Sequence, residues 1–317
     1  MSDLNVPHGI TSDLAGNSYV ADSYSHTIRK ITPAGVISTL AGKTGIAGNA
    51  DGEGTAARFT YPYGITADAA GNLYVADTYN HTVRKISPSG VVSTLAGVAG
   101  SAGSSDGKGA SARFTYPNGI QSDRAGNLYV ADTSNHTIRR ISASDEVSTL
   151  AGNAGQAGPN DGQGASARFN NPHALTVDSA GNVYVADSRN HTVRKITPAG
   201  MVSTMAGRAG NDGSADGKGA TASFHIPRGI AADSAGNLYV SDTFNNTIRK
   251  ISANGSVITL AGLAGDGGEA DGAGGKAQFN KPNGIGVDSF GSLYVVDTEN
   301  HAIRKITPQG VVSTFAG

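Results

Sequence analysis

The sequence predicts an all-β fold, a six-bladed β-propeller with four antiparallel strands per blade and a 55-residue repeat, and three observations carry that prediction. A tyrosine recurs at Tyr19, Tyr74, Tyr129, Tyr184, Tyr239 and Tyr294, a constant step of 55 residues. A proline keeps the same step at Pro7, Pro62, Pro117, Pro172, Pro227 and Pro282. Within each unit, short β-prone runs that are apolar on both faces alternate with turn signals. An uninterrupted period of this length means one supersecondary unit used repeatedly. A β-solenoid is the competing architecture, but its repeats run shorter and stack through parallel strands, whereas hairpin turns fall inside each unit here.

The second unit serves as the type. Residues 62–68 (Pro-Tyr-Gly-Ile-Thr-Ala-Asp) form a first short strand. Asp68-Ala69-Ala70-Gly71-Asn72 is turn chemistry: an Asp that bonds its own backbone, then Gly for a positive-φ position. Leu73 to Ala76 is the second strand, with Leu73 and Val75 on one face and Tyr74 and Ala76 on the other. A strand apolar on both faces belongs between two neighbouring sheets. Thr78-Tyr79-Asn80-His81 turns the chain into a third strand, Thr82 to Ile86. Ser87-Pro88-Ser89-Gly90 is a β-turn, and Val91 to Leu95 is the fourth strand. The count expected for the chain is therefore about 24 strands.

A glycine-rich connection follows each fourth strand and carries fixed points of its own. Asp-Gly recurs at Asp51, Asp106, Asp161, Asp216 and Asp271, and a phenylalanine at Phe59, Phe114, Phe169, Phe224 and Phe279. Each Phe is expected to plug the seam between two blades, where burial is worth roughly 1.5–3 kcal/mol. The blades are expected at about 1–42, 57–97, 112–152, 167–207, 222–262 and 277–317, in one domain spanning 1–317. Six periods of 55 residues make 330 against a chain of 317, so one connection is missing between blades six and one. Leu4 takes the Phe position there, and ring closure is expected to rest on side-chain packing without a shared strand.

Composition narrows the function classes. A formal charge of -1 and a pI near 6.7 give no electrostatic basis for nucleic acid or an anionic membrane. Cysteine is absent, which removes thiol chemistry, and no apolar run approaches a membrane helix. The 45 glycines suit a chain of many tight turns. Met1-Ser2-Asp3 has no signal-peptide character. Compartment stays open, with an extracytoplasmic location favoured if a leader has been trimmed, and a monomer is expected.

The run Ala-Gly-Asn-Leu-Tyr-Val-Ala-Asp-Thr-x-Asn-His-Thr-Ile-Arg-Lys-Ile resembles the NHL repeat, named for Asn-His-Leu, with Thr or Ala at the third position (Asn80-His81-Thr82, Asn300-His301-Ala302). The resemblance covers all six units. The Asp-Gly-x-Gly-x-x-Ala-Arg-Phe insertion is similar to a bacterial variant of that family. The resemblance implies a six-bladed propeller and no single activity, because the family includes lyases, receptor sensor domains and protein- or RNA-binding modules.

Residues repeated in every blade read as scaffold. His26, His81, His136, His191 and His301, with Asn246 in the fifth blade, lie one per blade around a ring, so they do not converge on a metal. The exchange of His for Asn suits a hydrogen-bonding role. Asp22, Asp77, Asp132, Asp187, Asp242 and Asp297 are expected to pair with Arg29, Arg84, Arg139, Arg194, Arg249 and Arg304, a bidentate pair serving to fix blade geometry. Asp266, Glu269 and Asp271 form the densest acidic cluster and are the weak candidates for Ca²⁺, although the loop lacks the EF-hand pattern.

Positions where the repeat stops repeating are the candidates for function. Immediately after each Pro stand His8, Tyr63, Asn118, His173, Arg228 and Asn283. The turn between second and third strands carries Tyr24, Tyr79, Ser134, Arg189, Phe244 and Glu299, and Tyr61, Tyr116, Asn171, Ile226 and Lys281 precede the prolines. In a four-stranded blade these connections emerge on one face, so the sets should crowd around one channel mouth. Aromatic, amide and charged types compose recognition surfaces, while neutral drift at exposed loops is the bland alternative. The leading expectation is a non-catalytic module that binds a peptide, glycan or small polar ligand at that mouth, without a cofactor. The alternative is a metal-dependent lyase or lactonase-like hydrolase using the same mouth with Zn or Ca. For that alternative only His8 and His173, facing across the ring, begin a metal site, and the resemblance supplies no third ligand.

Overall fold

The computed structural model describes residues 4–13 and 15–317. Six antiparallel sheets follow one another along the chain, each built from one continuous stretch. In the second blade the strands are Pro62–Ala67, Leu73–Asp77, Thr82–Ile86 and Val91–Ala96, hydrogen-bonded in that order. The innermost strands of neighbouring blades contact one another in sequence, and that of blade six, Pro282–Val287, contacts Pro7–Ser12 of blade one. The ring is thereby closed, and among the described residues there is no α-helix.

Alternation along the second strand builds the core. Leu73 and Val75 face Ala21, Ile28 and Ala41 of the preceding blade, while Tyr74 and Ala76 face Leu128 and Val130 of the following one. Phe59 is fully buried in the first of these layers, where the sequence places it as a seam plug. The glycine after the channel residue permits the inner strands to converge. A Cβ on Gly64 would collide with the carbonyl oxygen of Asn118 in the next blade.

Two expectations are corrected. The Asp-Gly connection is not merely a connector, because Gly52–Glu53 pairs with Val91 and Val92 as a fifth, outermost strand. Five of the sheets have five strands and only the first has four, giving 29 strands in the described residues instead of 24. Closure between blades six and one is also not packing alone. Leu4 does pack with Ile10, Val20, Val296 and Ile303. Beside it, Thr298 donates its hydroxyl to the Pro7 carbonyl at 2.9 Å, and the Val6 N–H donates to His301 Nδ1 at 3.0 Å.

Candidate functional site

The mouth is framed by a device repeated at every blade junction. A single turn of 3-10 helix, Thr78–Asn80 in blade two, ends at His81 in the left-handed conformation (φ +60°). His and Asn are among the residues that tolerate this region, which explains Asn246 in the fifth copy. The ring then accepts an N–H from the next blade: Tyr61 to His26 Nδ1 at 3.2 Å, Tyr116 to His81 Nδ1 at 3.1 Å, and Lys281 to Asn246 Oδ1 at 2.9 Å. The histidines are interblade acceptors. Burial lowers the pKa of His26, His81, His136 and His191, which favours the neutral form that can accept.

The donors of those bonds are strained. Tyr61, Tyr116, Asn171, Ile226, Lys281 and Val6 all have φ between +47° and +52°, and each precedes a proline. For a β-branched residue such as Ile226 this region is a true outlier, costing about 1–3 kcal/mol. The bond to the neighbouring imidazole or amide offsets part of that cost. Alongside it, Thr78 donates its hydroxyl to the Pro117 carbonyl at 2.7 Å, a second clip between blades.

Behind the mouth lies the Asp–Arg scaffold, and its geometry differs from a simple bidentate pair. In blades two to six each guanidinium divides between two carboxylates. Arg139 Nη1 donates to Asp132 Oδ2 at 2.8 Å, and Nη2 donates to Asp106 Oδ1 of the Asp-Gly strand at 2.7 Å. The same nitrogens also donate to the carbonyls of Arg113 and Ser105, and the plane lies 5.2 Å from the Phe114 ring centroid. Asp271 is consumed in this way by Arg304 at 2.6 Å, and Asp266 accepts from Gln278 at 3.0 Å. Glu269 is exposed, and among the described residues no group of three His, Asp or Glu side chains is placed to hold a metal ion. The acidic cluster proposed for Ca²⁺ is therefore scaffold at Asp271 and dispersed elsewhere.

The divergent residues do assemble, unevenly. A cavity of about 280 Å³ is lined by Val6, His8, Tyr24, Tyr63, Arg228, Phe244, Lys281, Thr298 and Glu299. His8 stacks on Tyr63 with centroids 4.0 Å apart and planes within 9°. From there an aromatic arc runs through Tyr24, Tyr61, Tyr79 and Tyr116, each ring about 5 Å from the next. Tyr24 is 49 % exposed and Tyr79 47 %, so the arc is open to solvent. The far wall is cationic: Arg228 lies 5.6 Å and Lys281 4.0 Å from the centroid of Phe244. Among the described residues Arg228 has no ion-pair partner within 4.0 Å, although it feels Tyr63, Glu299 and Arg189 electrostatically. Burial lowers its pKa from the usual guanidinium value, the mark of a cation short of solvent and of counter-charge.

Burial and the Arg228 charge together hold His8 down to about 3, and the same causes put His173 well below its ordinary value. His8 Nδ1 lies 2.9 Å from Ser23 Oγ and 3.1 Å from the Val6 carbonyl, which fixes the ring for its stack on Tyr63. Burial, then Tyr79 and Tyr24, push the Tyr63 hydroxyl up to about 12. Asn118, His173 and Asn283 do not line the cavity. Asn118 Oδ1 and Asn283 Nδ2 are buried without a hydrogen-bond partner. Tyr79 stands beside the cavity through its contacts with Tyr61 and Tyr63, and Arg189 acts on Arg228 electrostatically without lining it. Sequence reasoning missed Val6, Thr298 and His225, the last packed on Phe244 at 5.4 Å. The signal for His225 was present: its equivalents are Asn5, Thr60, Thr115, Asn170 and Asn280, so this position also varies.

Comparison with known proteins agrees with this architecture. Residues 59–86, 114–141, 169–196, 224–251 and 279–306 each match the NHL repeat family. NHL repeat-containing protein 2 of Bos taurus is 30% identical over 343 residues, covering 96% of this chain and 47% of that protein. The chain spans less than half the length of the curated relatives it matches first. Among solved structures, an auxiliary nutrient binding protein from Bacteroides thetaiotaomicron superposes with a TM-score of 0.71 at 17% identity, over 98% of this chain and 69% of that one. A gluconolactonase from Xanthomonas campestris gives 0.65 at 11% identity, over 99% and 88%. At these identities the structural matches establish the fold.

Proposed function

Because this chain is an NHL-repeat β-propeller, we propose that it works as a recognition module, and that its mouth binds a peptide or glycan carrying a carboxylate. One observation carries the reading: Arg228 is a desolvated guanidinium in a cavity, with no carboxylate bonded to it among the described residues. A cation placed there carries a desolvation cost that the Phe244 face and the Glu299 charge offset in part and that a bound anion would offset further. The stacked and exposed tyrosines supply flat apolar faces at low entropic cost, suited to sugar rings or peptide side chains. Scaffold need does not account for the set, since the six post-proline positions are equivalent in the ring yet carry four different residue types.

The enzyme reading uses the same mouth and starts from His8, which lines the cavity, and His173, which does not; the Arg228 charge lowers the pKa of both. Both reaction classes named for its structural relatives' fold would need a further ligand or base beside them. Titration calorimetry with oligogalacturonate and with a short peptide bearing a free C-terminal carboxylate tests the proposal. At least one should bind, and Arg228→Ala should weaken it more than about tenfold, the worth of one charge-assisted pair. The melting temperature should not fall, because the substitution removes an unpaired, partly buried charge. Retained affinity in Arg228→Ala would sink the carboxylate reading. Stoichiometric zinc in the purified protein, with turnover that chelation abolishes, would favour the enzyme.

A further inference from the structure

Part of the cavity wall supplies hydrogens to a ligand, and part of it can only accept them. His8 is the informative case. Its Nδ1 lies 2.9 Å from Ser23 Oγ and 3.1 Å from the Val6 carbonyl. Ser23 has one hydroxyl hydrogen, and it goes to the Pro62 carbonyl of the next blade. Both neighbours of Nδ1 can therefore only accept, so Nδ1 carries the ring hydrogen. Burial and then the Arg228 charge hold this imidazole down to about 3, so it is neutral near pH 7 and Nε2 is a bare lone pair. Among the described residues the hydrogen bonds of the His8 ring all run through Nδ1, and none reaches Nε2.

Two further lining groups have the same character. Thr298 gives its hydroxyl hydrogen to the Pro7 carbonyl at 2.9 Å, so its oxygen can only accept from a ligand. Glu299 contributes an exposed carboxylate, again an acceptor. Against these stand Arg228 and Lys281, which can only donate and which both lie over the Phe244 ring. Tyr63, its hydroxyl pushed up to about 12, keeps its hydrogen and can serve either way. The lining therefore sets a pair of cations beside three acceptors that have no hydrogen to offer. A carboxylate on the ligand satisfies the cations, and the groups attached next to it must then be donors.

We propose that the occupant of the mouth is a uronate, a polyhydroxylated sugar ring bearing one carboxylate, continued by further sugars along the tyrosine arc. This rests on the carboxylate reading of Arg228 and narrows it. Ring hydroxyls are neutral donors, which is what His8 Nε2, Thr298 Oγ1 and Glu299 require. A peptide C-terminus offers one N–H beside its carboxylate, and its carbonyls only accept, so against this wall they are left unpaired. An ammonium group offers three hydrogens, but it would sit in the same Arg228 field that disfavours a positive charge on His8. Beyond the cavity, Tyr24 belongs both to the lining and to the arc. Ring-to-ring steps of 5.1, 4.9 and 5.2 Å carry the aromatic surface from Tyr24 through Tyr61 and Tyr79 to Tyr116. Tyr24, Tyr79 and Tyr116 are exposed, and their flat faces suit the C–H faces of successive sugar rings.

Titration calorimetry of the whole chain tests this with trigalacturonate, with the same trisaccharide reduced at its carboxylates, and with the same trisaccharide O-acetylated at its hydroxyls. An N-acetylated tripeptide with a free C-terminal carboxylate, and glycine, serve as the competing chemistries. Trigalacturonate should bind saturably, and loss of either its carboxylates or its hydroxyl hydrogens should weaken it more than about tenfold. The peptide and glycine should bind more weakly than trigalacturonate by at least about the same factor. His8→Phe, which keeps a ring over Tyr63 and removes the acceptor, should weaken trigalacturonate several-fold. The ligand series needs no variant, so it decides the matter even if His8→Phe fails to fold. Tyr79→Ala, at an exposed position, should also weaken the trisaccharide several-fold. Tighter binding of the peptide or of glycine, lost in Arg228→Ala, would overturn the uronate assignment and leave the carboxylate reading standing, as would equal binding of the O-acetylated trisaccharide. Failure of every carboxylate ligand to bind, or equal affinity in Arg228→Ala, would overturn the carboxylate reading and this inference with it.

Discussion

Replacing Arg139 by leucine should be among the most damaging single changes in the molecule, and the same change at Arg29 should be mild. Arg139 is fully buried and donates to four acceptors, two of them carboxylates. Removing it strands Asp132, itself fully buried, without its counter-charge. Breaking a buried pair from one side costs about 3–5 kcal/mol, because the remaining charge must be neutralised or hydrated in place. Arg29 is 3.9 Å from Asp22 and partly exposed, so its interaction is screened and its loss should cost about 1 kcal/mol. Equilibrium urea unfolding, read as a midpoint shift at constant slope, measures both. Adding Asp132→Asn to Arg139→Leu should restore part of the loss, since it removes the stranded charge. An Arg139→Leu cost below about 1 kcal/mol, or equal costs at the two sites, would refute the reasoning.

Three further outcomes are expected. Thr133→Val, which removes the donor to the Pro172 carbonyl at 2.7 Å and leaves that buried oxygen unpaired, should cost about 1–3 kcal/mol in the same unfolding assay. Hydrogen exchange should be fastest in blades one and six, where Leu4 replaces Phe and the first sheet has four strands among the described residues; uniform protection around the ring would contradict this. His8, held to about 3 against an unfolded value of 6.5, should remain neutral at pH 5 by imidazole NMR. The unfolded chain binds more protons in that window, so this group's contribution to stability falls as pH drops through it. The buried carboxyls of Asp77, Asp132, Asp187 and Asp242, raised to about 6 by burial, have the opposite sign, which is why a site-specific probe is needed.

The four principal strands of each blade were legible because alternation and turn chemistry coincide at Leu73–Ala76 and Ser87–Gly90. The fifth strand was not, since two residues inside a glycine-rich run carry no periodic signal. Nor does sequence reveal that Arg84 is shared between Asp77 and Asp51, the latter 33 residues distant. The left-handed residues before each proline run against local preference, which pushes such positions toward extended backbone. They exist because the neighbouring blade accepts their N–H, a tertiary fact. At the mouth, divergence within the repeat singled out His8, Tyr24, Tyr63, Arg228, Phe244 and Glu299, which the structure brings to one cavity. It also marked Asn118 and Asn283, which are buried and do not line the cavity, because residue type alone does not say how deep in the channel a side chain sits.

The recognition reading stands or falls on where a ligand lands. Two-dimensional NMR of the labelled protein, titrated with oligogalacturonate and with a free-carboxylate peptide, reports this directly. The account predicts that the largest shifts cluster at Tyr24, Tyr63, Arg228, Phe244 and Glu299, and vanish in Arg228→Ala. Shifts gathered instead on the opposite face, at the Asp68–Asn72 and Ser87–Gly90 turns, would contradict it.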